Sequence, residues 1–306
     1  MHDLIIIGGG PAGIAAGVYA SRKKLQTLFI TKEWGGQSTV STDIHNWIGT
    51  ISLSGNALAR NLEAHLRAYA EDMVTIIAGK LVTTVAKIDG GFSVTLDDGS
   101  THESKAVFVA SGSVRRKLTA VGADVFDNKG LTYCASCDGP LFSGMDVAVI
   151  GGGNAAFETA AQLLAYTKSV TLLHRSEAYK ADPVTVEKVL SHPHMKGMLN
   201  INTTEILGDK FVNGLKYTDQ GGAEHMLPVQ GIFVEIGLVP NTDCVAGLVP
   251  LDEYKRIKID PWTQQTEVKG IWAAGDCTNI KYHQNNISAG DAVRALEDIY
   301  VHLKTK

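Results

Sequence analysis

Few cysteines, no excess of positive charge and no long apolar run set the first limits on this 306-residue chain. Four cysteines, Cys134, Cys137, Cys244 and Cys277, are too few for the dense disulfide framework of a small secreted domain. A net charge of -4 leaves no basic stripe for nucleic acid. The first apolar run, residues 3 to 7, is cut at once by Gly8, Gly9, Gly10 and Pro11, leaving neither a signal-peptide core nor a membrane span there. A cytoplasmic protein without a membrane partner is the expectation. His192 and His194 flank Pro193 in a turn-like segment, but no third ligand accompanies them, so no metal is expected. The length exceeds one average domain and predicts two.

What is present is concentrated. Cys134 and Cys137 are separated by Ala135 and Ser136 and followed by Asp138. Two cysteines at this spacing can close a small, strained and reducible disulfide. The other chemistry of such a pair is half of a zinc site, and the chain has no second cysteine pair to complete one. Asp138 can serve as acid and base for a neighbouring thiol if burial raises its pKa, or it can cap a turn.

The redox tetrad lies between two copies of one nucleotide-binding device. Asp3 to Ile7 read as a buried strand running into Gly8, Gly10, Pro11, Ala12 and Gly13, then into an alanine-rich helix through about Arg22. The first glycine permits a tight turn, the second lets a pyrophosphate approach, and the third packs helix on strand, with the helix N-terminus facing phosphate. Asp146 to Ile150 repeat the strand, followed by Gly151, Gly153, Asn154 and Ala156 and a helix to about Tyr166. The next strand ends near Thr31 in the first unit and near His174 in the second, 23 residues after the leading glycine in both. A third element, Gly270 to Asp276, is an apolar strand ending in Gly275 and Asp276, a carboxylate suited to a ribityl or phosphate-bridging contact or to a helix cap.

With the Gly35-Gly36-Gln37 loop, Asn46-Trp47, the Cys-Ala-Ser-Cys-Asp run and Gly275-Asp276 in this order, the chain resembles the low-molecular-weight thioredoxin reductases over nearly all its length. Cys137 to Phe142, Gly231 to Val234 and Ala274 to Thr278 look at least as similar to the reductase portion of the alkyl hydroperoxide reductase flavoproteins. Those carry an extra redoxin-like domain at the N-terminus; here Met1 stands two residues before the first strand, so a redoxin is expected as a separate molecule.

The resemblance implies an α/β fold of two Rossmann-like three-layer domains, with a nicotinamide domain inserted into a discontinuous FAD domain. The expected boundaries are 1–112 plus 243–306 for FAD and 113–242 for NADPH. No low-complexity linker is visible, so the joints are expected to be short hinges. It implies FAD contacts at Gly8, Gly10, Pro11, Ala12, Gly13, Gly36, Gln37, Asn46, Gly275, Asp276 and Gln284, and NADPH contacts at Gly151, Gly153, Asn154, Ala156, Arg175 and Lys180. His283 departs from the arginine usual beside that glutamine. Cys277 and Cys244 are read as packing. In related enzymes the second cysteine faces the flavin and the first attacks the partner, assigning those roles to Cys137 and Cys134, with Asp138 handling the proton. A homodimer and a thioredoxin-like or glutaredoxin-like acceptor complete what the likeness implies.

The donor turns on residues 174 to 180. Relatives using NADPH carry a histidine and two arginines, then a third arginine; this chain keeps Arg175, has Ser176 in the next place and Lys180 in the last, with Glu177 between them. Guanidinium groups grip a 2′-phosphate bidentately, whereas lysine acts as a point charge. NADPH is expected, with NADH and ferredoxin as other donors. A dithiol oxidase that passes electrons to oxygen is the competing enzyme, and a flavin-bound redox sensor the competing non-enzyme.

Overall fold

The computed structural model describes residues 1–41, 44–133 and 135–304; Thr42, Asp43, Cys134, Thr305 and Lys306, and the side chains of Ser136 and Cys137, lie outside the described residues. The chain divides into two compact units, one of Met1–Val114 with Val239–Lys306 and the other of Arg115–Leu238. Short strands Ser113–Arg115 and Leu238–Pro240 pair with one another. Among the described residues no helix is long and apolar enough to cross a membrane.

In the first unit the strand His2–Gly9 is buried on both faces. Leu4 and Ile6 join the core beneath the helices Pro11–Arg22 and Asn285–Lys304, while Ile5 and Ile7 join the opposite core with Val107, Val109 and Val245. This two-sided burial is why the strand is a continuous apolar run, as parallel strands covered on both faces are. Each such side chain contributes roughly 1.5–3 kcal/mol of burial free energy. His2–Gly9 pairs in parallel with Thr27–Trp34 and Thr101–Val109, and Val74–Ala78 extends the sheet beyond Thr27–Trp34. The outer edge of Thr101–Val109 is shared: its first half pairs antiparallel with Gly91–Leu96, and residues 107–109 pair in parallel with Ile271–Ala273. That fork brings Gly275 and Asp276 to the ends of the parallel strands, where the Gly8 turn also lies.

One boundary differs from the sequence reading with consequence. The strand expected to end near Thr31 continues to Trp34, because a register shift between Ile7 and Gly9 lets Gly9 pair with Trp34. Lys32 and Glu33 are thereby carried along the turn that follows the first strand.

In the second unit Asp146–Gly151 lies between Ser169–Leu173 and Gly231–Glu235, with Met195–Met198 and Leu131–Thr132 outermost, all parallel. Val147 and Val149 pack with Phe157 and Leu163 on one face, and Ala148 and Ile150 with Ile206 and Leu215 on the other. Ile206 and Leu215 belong to an antiparallel sheet of Asn202–Gly208, Val212–Thr218 and Glu224–Leu227, which covers the face that a second helix layer would otherwise fill. The helix expected to reach about Tyr166 spans Asn154–Leu163 and stops there, since the Leu163 carbonyl accepts from the Tyr166 and Thr167 amides and the Thr167 hydroxyl.

Candidate functional site

The Gly8 turn is built around one close approach. A Cβ on Gly13 would lie 1.8 Å from the Gly8 carbonyl oxygen, so only glycine lets the helix Pro11–Arg22 start against the strand it follows. Gly8 itself has φ +114 and faces Ala110, where a side chain would meet the carbonyl at 2.2 Å. Gly10, by contrast, is open: a Cβ placed there would have nothing within 4 Å. Pro11 presets the first helical turn, and neither a side-chain cap nor an acidic residue competes for its free amides. These amides open on a cavity of about 760 Å³, within the size of known cofactor pockets.

The cavity is lined by Gly8, Gly10, Pro11, Ala12, Gly36 and Gln37, and across from them by Gly275 and Asp276. Glu33 lines it too, at the end of Thr27–Trp34, where an acid suits a ribose hydroxyl. Sequence reasoning missed Glu33 by ending the strand early; an acid shortly after the second strand of a glycine-turn unit was the available signal. An uncapped helix N-terminus, an open approach at Gly10 and the Glu33 and Asp276 carboxylates fit FAD, with diphosphate at the turn and hydroxyls at those two acids; Asp243 is a third acid on the cavity wall. Asp276 is held on both oxygens: Ser113 Oγ donates to Oδ2 at 3.4 Å, and His283 Nδ1 lies 3.2 Å from Oδ1.

Asn46 and Gln284 do not line the cavity. They bind one another, Asn46 Nδ2 donating to Gln284 Oε1 at 3.0 Å, while Asn286 Nδ2 donates to the Asn46 carbonyl at 2.6 Å. This clamp holds the 44–53 loop to the start of the helix Asn285–Lys304, whose Asn285 accepts from Ser38 Oγ at 3.0 Å and lines the cavity. The cysteines also divide otherwise than by sequence position. Cys277, next to Asp276, is fully buried in the core, whereas Cys244 reaches the cavity wall. Burial pushes the Cys244 thiol up to about 12 and Cys277 to about 11.

The second glycine turn has a different cover. The helix Asn154–Leu163 again begins without a side-chain cap, and Gly153 is open outward. Ala156 stands where Gly13 stands in the first unit and is fully buried. The segment after Ser169–Leu173 folds back over the turn: the His174 ring covers Gly152, where a Cβ would come within 2.3 Å of Nδ1, and His174 Nε2 donates to the Ala178 carbonyl at 3.1 Å. The Lys180 amide donates to the Gly152 carbonyl at 2.7 Å. Burial lowers the His174 pKa, with the charges of Lys180 and Arg175 adding to the shift, so this histidine is a neutral packing group. Arg175 and Lys180 are both exposed, with exposed Glu177 between them in sequence. Asn154 Oδ1 accepts from the Asp182 amide at 2.8 Å, which leaves its backbone N–H as its contribution to the helix start.

Glu235, absent from the sequence reading, ends the strand beside Gly151 and accepts from Thr159 Oγ1 at 2.9 Å. Burial raises its pKa, opposed by that hydrogen bond and by Arg115.

Cys134 lies outside the described residues, and Cys137 is described by its backbone alone, in the single-turn helix Ala135–Asp138. The two-residue strand Leu131–Thr132 leads into this turn, and buried Ala135 anchors it against Phe157 and Leu163. The Asp138 carboxylate accepts from the Thr132 hydroxyl. Both residues line a smaller cavity of about 430 Å³ with Leu141, Phe142, Met145 and Phe211.

The sequence pattern of the pyridine nucleotide-disulphide oxidoreductases matches residues 2–290. The chain is 40% identical over 295 residues to the F component of the alkyl hydroperoxide reductase of Staphylococcus aureus and 39% identical over 294 residues to an NADH dehydrogenase of Bacillus subtilis. Both alignments cover 96% of this chain and 57% of the relative, so the chain spans just over half the length of these proteins. The thioredoxin reductase of Streptococcus pyogenes superposes with a TM-score of 0.81 at 29% identity, covering 100% of this chain and 99% of that one. Two Rossmann-like units, each with a glycine turn and an uncapped helix start, agree with that likeness. The chain belongs to the pyridine nucleotide-disulphide oxidoreductase family and is a flavoprotein oxidoreductase of the thioredoxin reductase-like kind.

Proposed function

We propose that the protein is a disulfide reductase that carries electrons from NADPH through FAD and a Cys134–Cys137 disulfide to a thioredoxin-like protein. The observation that carries this reading is the presence of two uncapped glycine-turn helix starts, one opening on a large cavity, in the same chain as the Ala135–Asp138 turn. In this reading Gly8, Gly10, Pro11 and Ala12 receive the FAD diphosphate, Gly13 lets the helix start against the strand, Glu33 and Asp276 take the hydroxyls, and Gly36 and Gln37 close the cavity, while Asn46 and Gln284 brace it. Gly151, Gly153 and Asn154 receive the nicotinamide diphosphate and buried Ala156 packs the helix start, with Arg175 and Lys180 as cations for a 2′-phosphate. Bound FAD supplies a two-electron carrier between a hydride donor and a disulfide.

The chain's own residues then handle sulfur and protons. Cys137 is the sulfur on the flavin side and Cys134 the attacking thiolate. Cys134 forms a mixed disulfide with the partner, Cys137 displaces it, and the dithiol's two electrons and two protons leave as two partner thiols. Asp138, held by Thr132, is the acid–base group that passes a proton to the departing thiolate. A homodimer in the cytoplasm belongs to the same proposal.

A second reading, an NADH-dependent reductase of a peroxiredoxin-type acceptor, is favoured by two observations: the 40% identity to the Staphylococcus aureus protein, and the Glu177 carboxylate between the two cations, which repels a 2′-phosphate. Oxidation of NADPH and NADH, followed with oxidised thioredoxin, glutaredoxin or peroxiredoxin, tests both. Thioredoxin-dependent oxidation of NADPH supports the first reading; peroxiredoxin-dependent oxidation of NADH replaces it with the second. Turnover that depends on oxygen and ignores every redoxin overturns both.

A further inference from the structure

We propose that His283 and Asp276 form a proton-linked pair that sets the charge presented to the flavin. The proposal rests on the reading that FAD occupies the cavity of the first unit. Asp276 lines that cavity, and His283 stands behind it, 3.2 Å from Oδ1, with Ser113 on the other oxygen. Both side chains are about a quarter exposed, at 27% for His283 and 25% for Asp276, so the pair exchanges protons with solvent.

The consequence follows from charge. With a neutral imidazole, Asp276 presents an unbalanced carboxylate to the cavity. With a protonated imidazole, an ion pair offsets it. Reduction adds two electrons and one proton to a flavin near neutral pH and makes it more negative. That added charge is repelled by a bare carboxylate and tolerated beside the ion pair, so reduction draws a second proton onto His283 and, reciprocally, protonation of His283 favours reduction. Histidine is the side chain that serves as a proton switch near neutral pH.

The other groups around the pair do not supply the same switch. Ser113, Gln284 and its partner Asn46 are neutral. Burial keeps the Cys277 thiol protonated. Lys281 Nζ lies 5.2 Å over the Tyr282 ring, and neither side chain is an imidazole. His45, preceding Asn46, is the other imidazole on an element packed here, and its substitution serves as a control.

The test is the midpoint potential of the FAD-loaded full chain, measured by spectroelectrochemistry from about pH 5.5 to 8.5, the range in which histidine titrates. Wild type, His283→Arg, His283→Gln and His45→Gln are compared. The arginine variant carries a permanent cation and the glutamine variant none. Wild type is expected to coincide with His283→Arg at the acid end and with His283→Gln at the alkaline end. Between them it falls about 30 mV more steeply per pH unit than either, one extra proton per two electrons being tenfold per unit. His45→Gln is expected to follow wild type. Parallel curves for wild type and both His283 variants overturn the proposal, as does loss of the steep segment in His45→Gln. If His283→Gln fails to retain FAD, wild type against His283→Arg decides alone, by convergence in acid and separation in alkali. A wild-type chain that takes up no FAD overturns the flavin reading, and this proposal with it; parallel curves in a yellow protein overturn this proposal only.

Discussion

Substituting alanine separately at Gly10 and Gly13 distinguishes a ligand contact from a packing contact within one turn. At Gly13 the new Cβ would lie 1.8 Å from the Gly8 carbonyl oxygen and 2.9 Å from its carbon, against an ordinary contact of 3.4 Å or more. Both obstacles are backbone, so the helix Pro11–Arg22 must withdraw from the strand by about 1.5 Å. Overpacking of this kind costs about 1–3 kcal/mol, or about 2–10 °C of melting temperature in a chain of this size, with FAD absent. At Gly10 nothing lies within 4 Å and φ is -79, so alanine is expected to leave the FAD-free protein unchanged to within about 0.5 kcal/mol. Its methyl group points to where a diphosphate must approach. FAD affinity is therefore expected to fall by about 1–3 kcal/mol, about 5- to 150-fold. Thermal melting of the apoprotein and fluorescence titration with FAD read the two effects apart. Wild-type FAD affinity in Gly10→Ala refutes the placement of the diphosphate, and wild-type stability in Gly13→Ala refutes the close approach.

Three further outcomes follow from the same geometry. Thr132→Val removes the donor to Asp138 while keeping the shape of the side chain, and is expected to slow disulfide turnover about tenfold, the effect of misplacing an acid–base group, while leaving FAD affinity intact; equal turnover contradicts the role given to Asp138. With pKa values near 12 and 11, Cys244 and Cys277 are expected to resist iodoacetamide at about pH 8 in the folded protein and to react after urea unfolding, as mass spectrometry of the alkylated peptides would reveal. Glu235 has its pKa raised by burial, so the folded chain holds its proton more tightly than the unfolded one. That preference stabilises the fold fully below the ordinary glutamate pKa of about 4.3 and is lost as pH rises through the raised value. Glu235→Gln is accordingly expected to gain stability relative to wild type between about pH 4.5 and 7 in denaturant titrations, and a difference constant with pH contradicts it.

Much of the fold was legible because local chemistry and burial agree. The runs Asp3–Ile7 and Asp146–Ile150 send alternate side chains into separate cores, and in the first unit Gly13 marks where the helix comes against the strand it follows. What was not legible depends on contacts distant in sequence or without period. Glu33 was hidden by a register shift that carries its strand past Thr31. His174 reads as one more basic residue beside Arg175, yet its ring is spent covering Gly152. Cys277 adjoins a cavity residue and points into the core, while Cys244, with no neighbouring motif, reaches the cavity because its short turn Asp243–Val245 lies beside Val82–Ile88. The pairing of His283 with Asp276 spans a loop whose hydrogen bonds no periodic pattern announces.

Anaerobic stopped-flow reduction of the FAD-loaded protein by NADPH and by NADH, in wild type and Cys137→Ser, bears most directly on electron flow from nicotinamide to sulfur. The account predicts that a nicotinamide bleaches the flavin in both proteins, and that subsequent addition of an oxidised redoxin restores the yellow colour rapidly in wild type and not in Cys137→Ser. Equally fast recovery in the serine variant, or a flavin that neither nicotinamide bleaches, contradicts it.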